Sequence, residues 1–498
     1  MRRRTFLGVT TAGVGIPVTG LAQQPPKRNV LFIAVDDLRP ELGCYGKSHI
    51  KSPNIDRLAA RGIRFDRAYC QQAVCAPTRA SLLTGTRPDT TRVYNLETPL
   101  NTVRPDLISI PHHFKRNGYE TVSLGKIYHH LNEDPQAWTS EPWRPKGDWV
   151  GRGYRDPLSA VAVRHNRAAV ERAAKLAGQP APAPTGQGPA FEGPDVPDNA
   201  YPDGLICDRA IEELRRLKSK PFFIAAGFNK PHLPFNAPKK YWDLYSPADI
   251  QLPSRNEWPE NMPRMAGSDW GELRAYTGIP RKGPVDDTTL RMLIHGYYAC
   301  VSFLDAQVGR LLDELDRLGL ADNTAIVLWG DHGWKLGDYG AWCKHTNMEL
   351  DTHVPLILSV PGQKNAGAST RALVEYVDVY PTLAEACGLD IPAQCEGLSL
   401  LPLLENPVRP WKTAAFSQYP RGAANMGYSM RTDRWRYTEW ISRGSGEILE
   451  RELYDHAAGD VASANLAALP EHGATVRESS ALLAKGQGWR FVRDQLRR

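Results

Sequence analysis

The residues in this chain that are best suited to chemistry lie between Val74 and Gly85. Pro77 suits the first turn of a helix, where its missing N–H costs nothing, so we expect a loop that becomes a helix at Cys75. The N-terminal end of a helix is electropositive and suits a nucleophile that handles anions. Arg79 follows four residues later on the same helical face and can reach back toward the cysteine. A buried apolar cysteine at a helix start is the simpler alternative.

Two adjacent carboxylates follow an apolar segment near the start of the chain. Residues 29–35 form a continuous apolar run that ends at Asp36 and Asp37 and is typical of a strand buried on both faces of a parallel sheet. Function gathers at the carboxyl ends of strands in such sheets. Adjacent acids repel each other and cost desolvation unless a cation neutralises them. Alone, they could also be solvated loop acids or a helix cap. A second acidic segment that could share a cation with them would favour the metal site.

A second apolar segment with an acidic end lies far downstream. Residues 324–329 repeat the buried-strand pattern and precede Asp331 and His332, and apolar spacing predicts a helix over 304–318. A helix followed by a strand with an acidic end is a unit of a doubly wound sheet. Three carboxylates favour Ca²⁺ or Mg²⁺ over zinc, with the histidine as one nitrogen donor among oxygens. A thiolate is a poor ligand for such an ion, which argues that Cys75 is modified.

These motifs together resemble the signature of the type I sulfatase family. Cys75-Ala-Pro-Thr-Arg79, the acidic pair and the Asp-His-Gly-Trp motif agree in order and spacing with the iduronate-2-sulfatase branch and its bacterial relatives. The resemblance implies that the cysteine is oxidised to formylglycine (3-oxoalanine), whose hydrate supplies hard oxygen. It also implies one cation, Ca²⁺ rather than Mg²⁺, with a ligand set of Asp36, Asp37, residue 75, Asp331 and His332.

Three further motifs are similar to the sulfate pocket of that family. Lys126 and His129 lie three residues apart, so both can face one site. His232 belongs to a Lys-Pro-His-Leu-Pro run that follows an apolar strand predicted over 221–226, and Lys344 belongs to a Trp-Cys-Lys-His-Thr-Asn run. Each of these side chains alone would more often be structural or on the surface. The ordered set is what favours a catalytic site.

The resemblance also implies roles for these side chains. The leaving alcohol takes a proton from His232 or is stabilised by Lys344, and His129 takes the proton whose loss expels sulfate. Arg79 and Lys126 hold the oxygens of the aldehyde hydrate. The implied activity is hydrolysis of a sulfuric ester on a sulfated saccharide, similar to that of iduronate-2-sulfatases. A phosphonate monoesterase or phosphodiesterase of the same superfamily is one alternative, and a non-catalytic exported glycan-binding relic is another.

The expected fold class is α/β, with a large mixed, mostly parallel sheet flanked by helices, as in alkaline phosphatases and sulfatases. We place this catalytic domain at residues 27–405. A smaller C-terminal α+β domain with an antiparallel sheet is expected over 412–498, because 426–440 suggests two short strands around a turn and 476–485 is helical. Residues 134–198 are the least regular segment.

That irregular segment holds a proline-rich stretch at 179–188, which is expected to be a loop. Trp138, Trp143 and Trp149 lie in its first part. Their rings could stack on sugars, but anchoring of an irregular loop onto the core is the favoured alternative.

Composition bounds the remaining possibilities. The chain has 498 residues, 42% of them hydrophobic and 23% charged, which is ordinary for a soluble enzyme. The net charge of +6 is spread out, without the basic run that nucleic acid would need. The eight cysteines show no regular framework, and Cys387 with Cys395 is the one pair we consider for a disulfide.

The first residues predict a targeting segment. Three arginines at 2–4 precede a weakly apolar run, so we assign 1–22 as a twin-arginine signal peptide and expect no stable membrane span. The expected location is periplasmic or secreted in a bacterium. The expected partners are the twin-arginine export machinery, a formylglycine-generating or anaerobic sulfatase-maturating enzyme, and a sulfated oligo- or polysaccharide substrate.

Overall fold

A computed structural model describes most of this protein. The described residues are 27–129, 133–147, 153–178 and 187–486. The predicted signal peptide, Trp149, most of the proline-rich loop and the end of the predicted C-terminal domain lie outside these ranges.

Sixteen strands lie within the described residues. They are β1 (Asn29–Val35), β2 (Ile63–Tyr69), β3 (Glu120–Gly125), β4 (Phe191–Glu192), β5 (Phe222–Phe228), β6 (Phe235–Asn236), β7 (Thr324–Gly330), β8 (Lys335–Leu336), β9 (Trp342–Cys343), β10 (His353–Ser359), β11 (Ser369–Thr370), β12 (Val374–Glu375), β13 (Ala415–Arg421), β14 (Asn425–Arg431), β15 (Trp435–Ser442) and β16 (Ile448–Asp455).

Fourteen α-helices lie within the same residues. They are α1 (Pro53–Arg61), α2 (Cys75–Thr84), α3 (Pro88–Thr91), α4 (Leu100–Val103), α5 (Ile110–Arg116), α6 (Pro157–Leu176), α7 (Pro202–Leu217), α8 (Lys239–Trp242), α9 (Gly271–Arg274), α10 (Asp287–Arg317), α11 (Glu349–Thr352), α12 (Val379–Ala386), α13 (Leu401–Glu405) and α14 (Gly473–Lys485).

The large sheet is mixed and mostly parallel, which confirms the predicted fold class. Its order is β11-β2-β10-β7-β1-β5-β3, with β12 also paired to β2. Strands β7, β1, β5 and β3 are parallel neighbours, and β10 runs antiparallel between β2 and β7. The strands predicted at 29–35, 221–226 and 324–329 are therefore confirmed as three adjacent members of the parallel part.

The sheet is buried on both faces because its central strands are apolar throughout. Alternate residues of β1 belong to separate hydrophobic clusters, Leu31, Ile33 and Val35 on one face and Val30, Phe32 and Ala34 on the other. Helices α7 and α10 pack on the first face, and α2, α5 and α12 on the second. Helix α10 contains the predicted helix at 304–318 but starts earlier, where Asp286 caps it.

The segment that we expected to be least regular contains a long helix. Helix α6 spans Pro157–Leu176, so the prediction of irregular structure was wrong for these residues. Asp156 caps its first turn by accepting from the backbone N–H groups of Leu158 and Ser159. Trp138 is buried and Trp143 packs partly buried against the core, which favours the anchoring alternative for these two rings.

The C-terminal region forms its own antiparallel sheet. Strands β13 to β16 pair in chain order, and α14 covers one face of the sheet through a third hydrophobic cluster. The two strands predicted within 426–440 and the helix predicted over 476–485 are confirmed. The domain boundary between residues 405 and 412 stays a prediction.

Two further expectations concern the whole chain. No helix in the described ranges is both long and apolar enough to cross a bilayer. All eight cysteines are described and carry free thiols, so Cys387 and Cys395 are not joined, and the pair that we considered was wrong.

Candidate active site

The carboxyl ends of β1 and β7 bring the predicted acids together. The two strands are parallel and in register up to Val35 and Gly330, so Asp36 and Asp331 follow them side by side. The backbone N–H of Asp37 donates to Oδ1 of Asp331 at 3.0 Å, so the Asp331 carboxylate lies against the chain that carries the acidic pair. All three carboxyl groups are at most 1% exposed. Buried acids so close together require compensating positive charge.

Helix α2 places Cys75 at this edge of the sheet. The helix begins at the cysteine as predicted, every one of its residues is buried, and Gly85 ends it with φ +68°. The cysteine Sγ lies 3.4 Å from Oδ1 of Asp36, 3.3 Å from Nε2 of His332 and 3.7 Å from Nζ of Lys126. The structure thus brings the candidate nucleophile into contact with two candidate ligands and one cation.

The Arg79 side chain reaches across the helix face to the acids. Its Nε donates to Oδ2 of Asp331 at 3.0 Å, and Nη2 donates to Oδ1 of Asp36 at 3.4 Å. Its Nη1 donates to the backbone carbonyl oxygens of Lys126 and Ile127. The guanidinium therefore ties α2 to the loop that follows β3, and it is itself buried.

Two lysines are ion-paired with the acidic pair. The Lys126 ammonium binds Asp36, and the Lys344 ammonium lies 2.8 and 3.0 Å from the two oxygens of Asp37. Burial alone would raise the pKa of both carboxyl groups. For Asp36 the nearby charges of Lys126, His232 and Arg79 outweigh burial and hold the pKa well below its usual range. For Asp37 burial prevails and its pKa is raised.

The close approach of the loop carrying Lys126 depends on Gly227. A Cβ at this glycine would lie 2.2 Å from the Lys126 carbonyl oxygen, a distance that no side chain permits. The Lys126 backbone N–H donates to the Gly227 carbonyl at 2.9 Å. The glycine in β5 therefore lets the loop after β3 lie directly over the sheet edge.

The donor set fits a hard divalent cation. One atom from each of Asp36, Asp37, Cys75 and His332 lies within 4.8 Å of the others. Nδ1 of His332 lies 3.0 Å from the Gly333 carbonyl oxygen, and its Nε2 lies 3.3 Å from Asp37 and 3.4 Å from Asp331. Carboxylate oxygens with one imidazole nitrogen form a ligand set that a hard divalent cation accepts, and these residues therefore fit the predicted ion.

The unmodified Cys75 side chain is a poor nucleophile. Burial and the neighbouring Asp36 raise the pKa of its thiol well above the usual range. A thiol that stays protonated at neutral pH neither attacks an ester nor binds a hard cation well. The environment thus agrees with the expectation that position 75 acts in an oxidised form.

His232 lies on the other side of the acidic pair. Its Nδ1 donates to the Leu233 carbonyl at 2.6 Å, and its Nε2 lies 3.0 Å from Oε1 of Glu272 and 3.8 Å from Asp37. Both ring nitrogens therefore face oxygens that only accept hydrogen bonds. Nε2 is thus placed beside oxygen acceptors, where an acid for a leaving alcohol would have to lie.

Glu272 is a cavity residue that no sequence motif identified. It lies on the short helix α9, far from any of the motifs, and its Oε2 lies 3.0 Å from Nζ of Lys344. Burial would raise its pKa, but Lys344 and His232 hold that pKa well below the usual range. His345 is a second cavity residue without a predicted role, although it belongs to the motif that contains Lys344. Its Nδ1 lies 2.7 Å from the hydroxyl of Tyr419 on β13.

A cavity of about 950 Å³ opens onto these groups. The predicted site residues that line it are Asp36, Cys75, Lys126, His129, His232 and Lys344. Glu272, His345 and Arg144 also line it. Its lining combines a candidate nucleophile with cations and three imidazoles, so the arrangement suits attack on an anionic ester and proton transfer to a leaving alcohol.

Comparison with protein families gives two matches. The model of the sulfatase family matches residues 28–389, and the model of the N-sulphoglucosamine sulphohydrolase C-terminal region matches residues 337–485. The first match covers the large sheet and every site residue named above, and the second extends through the antiparallel sheet.

Relatives and solved structures agree with these matches. Iduronate 2-sulfatase of Homo sapiens is 35% identical over 512 residues, covering 86% of this chain and 88% of the human protein. A structure of a protein in complex with its substrate D-glucosamine-2-N,6-O-disulfate has a TM-score of 0.73 at 23% identity, over 94% of this chain and 99% of the other. Phosphonate monoester hydrolase from Silicibacter pomeroyi has a TM-score of 0.70 at 24% identity, covering 92% of this chain and 95% of the hydrolase. The two structural likenesses concern the fold.

Proposed function

Because this chain belongs to the sulfatase family and hydrolyses sulfate esters, we propose that it removes sulfate from a sulfated saccharide through an aldehyde formed at Cys75. The observation that carries the proposal is the position of the Cys75 Sγ, within 3.7 Å of Asp36, His332 and Lys126 at the floor of the cavity. A buried thiol with a raised pKa would be a poor nucleophile there, whereas the hydroxyls of an aldehyde hydrate could attack the ester.

The hydrated aldehyde would supply two hydroxyls on one carbon, one to attack sulfur and one whose deprotonation allows sulfate to leave. A divalent cation held by Asp36, Asp37, Asp331 and His332 would lower the pKa of a hydroxyl at position 75. We propose Ca²⁺, with Mg²⁺ as the alternative, since both prefer oxygen ligands.

The remaining residues bind charge and move protons. Lys126 and Lys344 stabilise the sulfate oxygens, and Arg79 fixes the acids on which the nucleophile depends. His232 donates the proton at Nε2 to the leaving oxygen, and His129 accepts the proton whose loss expels sulfate. His129 is 8% exposed and lines the same cavity, which supports its placement.

The substrate class is supported by the cavity and by one relative. The cavity is large enough for more than a sulfate group, and the human relative is named iduronate 2-sulfatase. We propose a sulfated oligo- or polysaccharide and include 2-O-sulfated uronates among the candidates. Export by the twin-arginine route to the periplasm or beyond, after maturation of Cys75 by a formylglycine-generating or anaerobic sulfatase-maturating enzyme, completes the proposal.

The test is sulfate release from defined sulfated oligosaccharides by protein produced together with a maturation enzyme. We expect release from at least one saccharide, loss of release after chelation, and recovery with Ca²⁺. A protein confirmed to carry the aldehyde that releases sulfate from none of them would contradict the substrate class. A Cys75→Ala variant serves as the negative control.

Parallel assays address the two alternatives. Because the fold is shared with phosphonate monoester hydrolases, the same preparation is assayed on a phosphonate monoester and a phosphodiester. Faster turnover of either would favour that activity over sulfate hydrolysis of saccharides. Tight binding of a sulfated glycan by protein with an unmodified Cys75 thiol and no turnover would favour the glycan-binding relic.

A further inference from the structure

Glu272 contacts both His232 and Lys344 at the wall of the cavity. Its Oε1 lies 3.0 Å from Nε2 of His232, and its Oε2 lies 3.0 Å from Nζ of Lys344. These two groups are the ones that the proposed function assigns to the leaving oxygen and the sulfate. One carboxylate therefore bridges the two groups.

The two donors have limited capacity for additional partners. Nδ1 of His232 is already bonded to the Leu233 carbonyl, so Nε2 is the ring nitrogen left to contact Glu272 or a substrate oxygen. The Lys344 ammonium also binds both oxygens of Asp37. A substrate oxygen that accepts from Nε2 must consequently displace Glu272 or compete with it.

The segment carrying Glu272 is held in place. Arg274 donates to the backbone carbonyls of Asp269, Pro280 and Gly283 at 3.2, 2.7 and 2.9 Å. Its guanidinium also lies 3.3 Å from the centre of the Trp270 ring, which is 5% exposed. These contacts hold the backbone that carries Glu272 beside the cavity, so its carboxylate remains within reach of a bound substrate.

A displaced Glu272 needs a new donor. Its side chain is only 18% exposed, so water compensates the carboxylate incompletely. Lys344 and His232 hold its pKa well below the usual range, and these are the two partners that it would give up. Oxygens on neighbouring ring carbons of a sugar are separated by about the distance of a hydrogen bond, so a hydroxyl beside the ester oxygen reaches the displaced carboxylate.

We propose that Glu272 is a specificity-determining residue that exchanges His232 and Lys344 for a substrate hydroxyl. The enzyme then selects sulfate esters whose leaving group carries a free hydroxyl next to the sulfated carbon. Esters without that hydroxyl leave a largely buried carboxylate unpaired and are rejected. This inference rests on the proposed function and assigns its substrate class more narrowly, to saccharide sulfates with a vicinal hydroxyl.

The experiment compares three sulfate esters on matured, metal-loaded enzyme. They are a sulfated saccharide with a free neighbouring hydroxyl, its deoxy analogue at that position, and 4-nitrophenyl sulfate. The variants are Glu272→Ala and Glu272→Gln, with Asp269→Asn as the matched control, because the Asp269 side chain is exposed on the same segment. The measured quantities are kcat and KM for each enzyme variant with each ester.

We expect the wild type and the control to favour the hydroxylated saccharide over its deoxy analogue by about 10- to 100-fold in kcat/KM. Glu272→Ala brings that ratio close to one, by weakening the hydroxylated substrate and improving the deoxy analogue and the aryl sulfate. Glu272→Gln lies between them, because its amide oxygen still accepts from a hydroxyl but carries no charge.

Two results would overturn the inference alone: an unchanged substrate ratio in Glu272→Ala, or an equal loss on all three esters. Wild-type enzyme that releases no sulfate from any of the three would instead overturn the proposed function, and this inference with it. Thermal melting of each variant separates loss of folding from loss of selectivity, since a folding defect lowers all rates together.

Discussion

We propose different tasks for two histidines in this site, although their Nδ1 atoms make similar contacts and both Nε2 atoms face carboxylates. Both Nδ1 atoms bond to a neighbouring backbone carbonyl, that of Gly333 for His332 and that of Leu233 for His232. The free Nε2 of His332 faces the acids beside Cys75 and suits a metal ligand. The Nε2 of His232 faces Glu272 and suits a proton donor. The local backbone thus fixes each ring, and the second nitrogen takes the role that its surroundings allow.

Replacing His332 with alanine should weaken metal binding without removing the carboxylates. We expect the Ca²⁺ concentration for half-maximal activity to rise by about 10- to 100-fold, because one donor is lost while three acids stay in place. The measurement is sulfate release during titration of Ca²⁺ into chelator-treated enzyme. His49→Ala is the control, because its half-exposed side chain pairs with Glu41 away from the site. Equal metal dependence in both variants would remove His332 from the ligand set.

The motif residues could be predicted from sequence, and Glu272 could not. Asp36, Asp37 and Asp331 follow apolar runs, and adjacency of parallel strands dictates that they meet. Glu272 lies between β6 and α10 in a segment of short helices and turns, where no periodicity fixes which side chains face the cavity. Its placement depends on tertiary contacts such as the Arg274 bonds, which leave no pattern in the sequence.

At the scale of elements, the C-terminal sheet supports the cavity through β13. The Tyr419 hydroxyl contacts His345, and the Arg421 guanidinium donates to the His345 carbonyl at 2.9 Å. The same guanidinium donates to the carbonyls of Ala266 and Gly267 at 3.2 and 2.8 Å. One arginine therefore links the small sheet, the lysine-bearing motif and the segment that leads to Glu272.

Replacing Arg421 with alanine should loosen this connection. We expect the free energy of unfolding to fall by about 2–4 kcal/mol, since several buried carbonyls lose a charged donor together. We also expect kcat to fall more than this stability loss explains, because His345 and the Glu272 segment lose a common support. Urea unfolding and steady-state kinetics measure the two effects. Arg421→Lys should restore charge but not activity, and full activity in Arg421→Ala would contradict the supporting role.

Helix α6 shows where pattern recognition failed at this scale. Within Pro157–Leu176 only Ser159 and Val163 are buried, so the helix carries almost no apolar face. Its alanines and arginines favour a helix by intrinsic propensity, but hydrophobic periodicity, on which our expectation relied, is weak there. Strands buried on both faces, by contrast, were identified correctly because their apolar runs are continuous.

Across the whole molecule, Glu375 joins the large sheet to the C-terminal region. Its carboxylate binds Arg87 at 2.7 Å and Lys412 at 2.9 Å, and it accepts from the backbone N–H of Phe416 at 2.9 Å. Burial would raise its pKa, but Arg87 and Lys412 lower the pKa to about 2. The contacts span the boundary that we predict between residues 405 and 412, so this single acid couples both parts.

Replacing Glu375 with glutamine should produce a pH-dependent loss of stability. A carboxyl group whose pKa is depressed on folding contributes stability above its unfolded pKa of 4.5, and this contribution is lost as the pH falls toward about 2. We expect the variant to unfold about 3–5 kcal/mol more easily at neutral pH, because Arg87 loses its close partner and Lys412 keeps only Asp378. In urea unfolding, the difference in stability between wild type and variant should shrink as the pH falls from 4.5 to about 2. The exposed Glu385→Gln serves as control, and a gap independent of pH would contradict the role of the ionised carboxylate.

The chemical form of residue 75 tests the central claim most directly. Mass spectrometry of the peptide containing residue 75, from enzyme preparations matured to different extents, gives the fraction of aldehyde to compare with the rate of sulfate release. We predict a rate proportional to the aldehyde fraction and no release by Cys75→Ala. Full-rate hydrolysis by protein with an unmodified thiol, or by the alanine variant, would contradict the account.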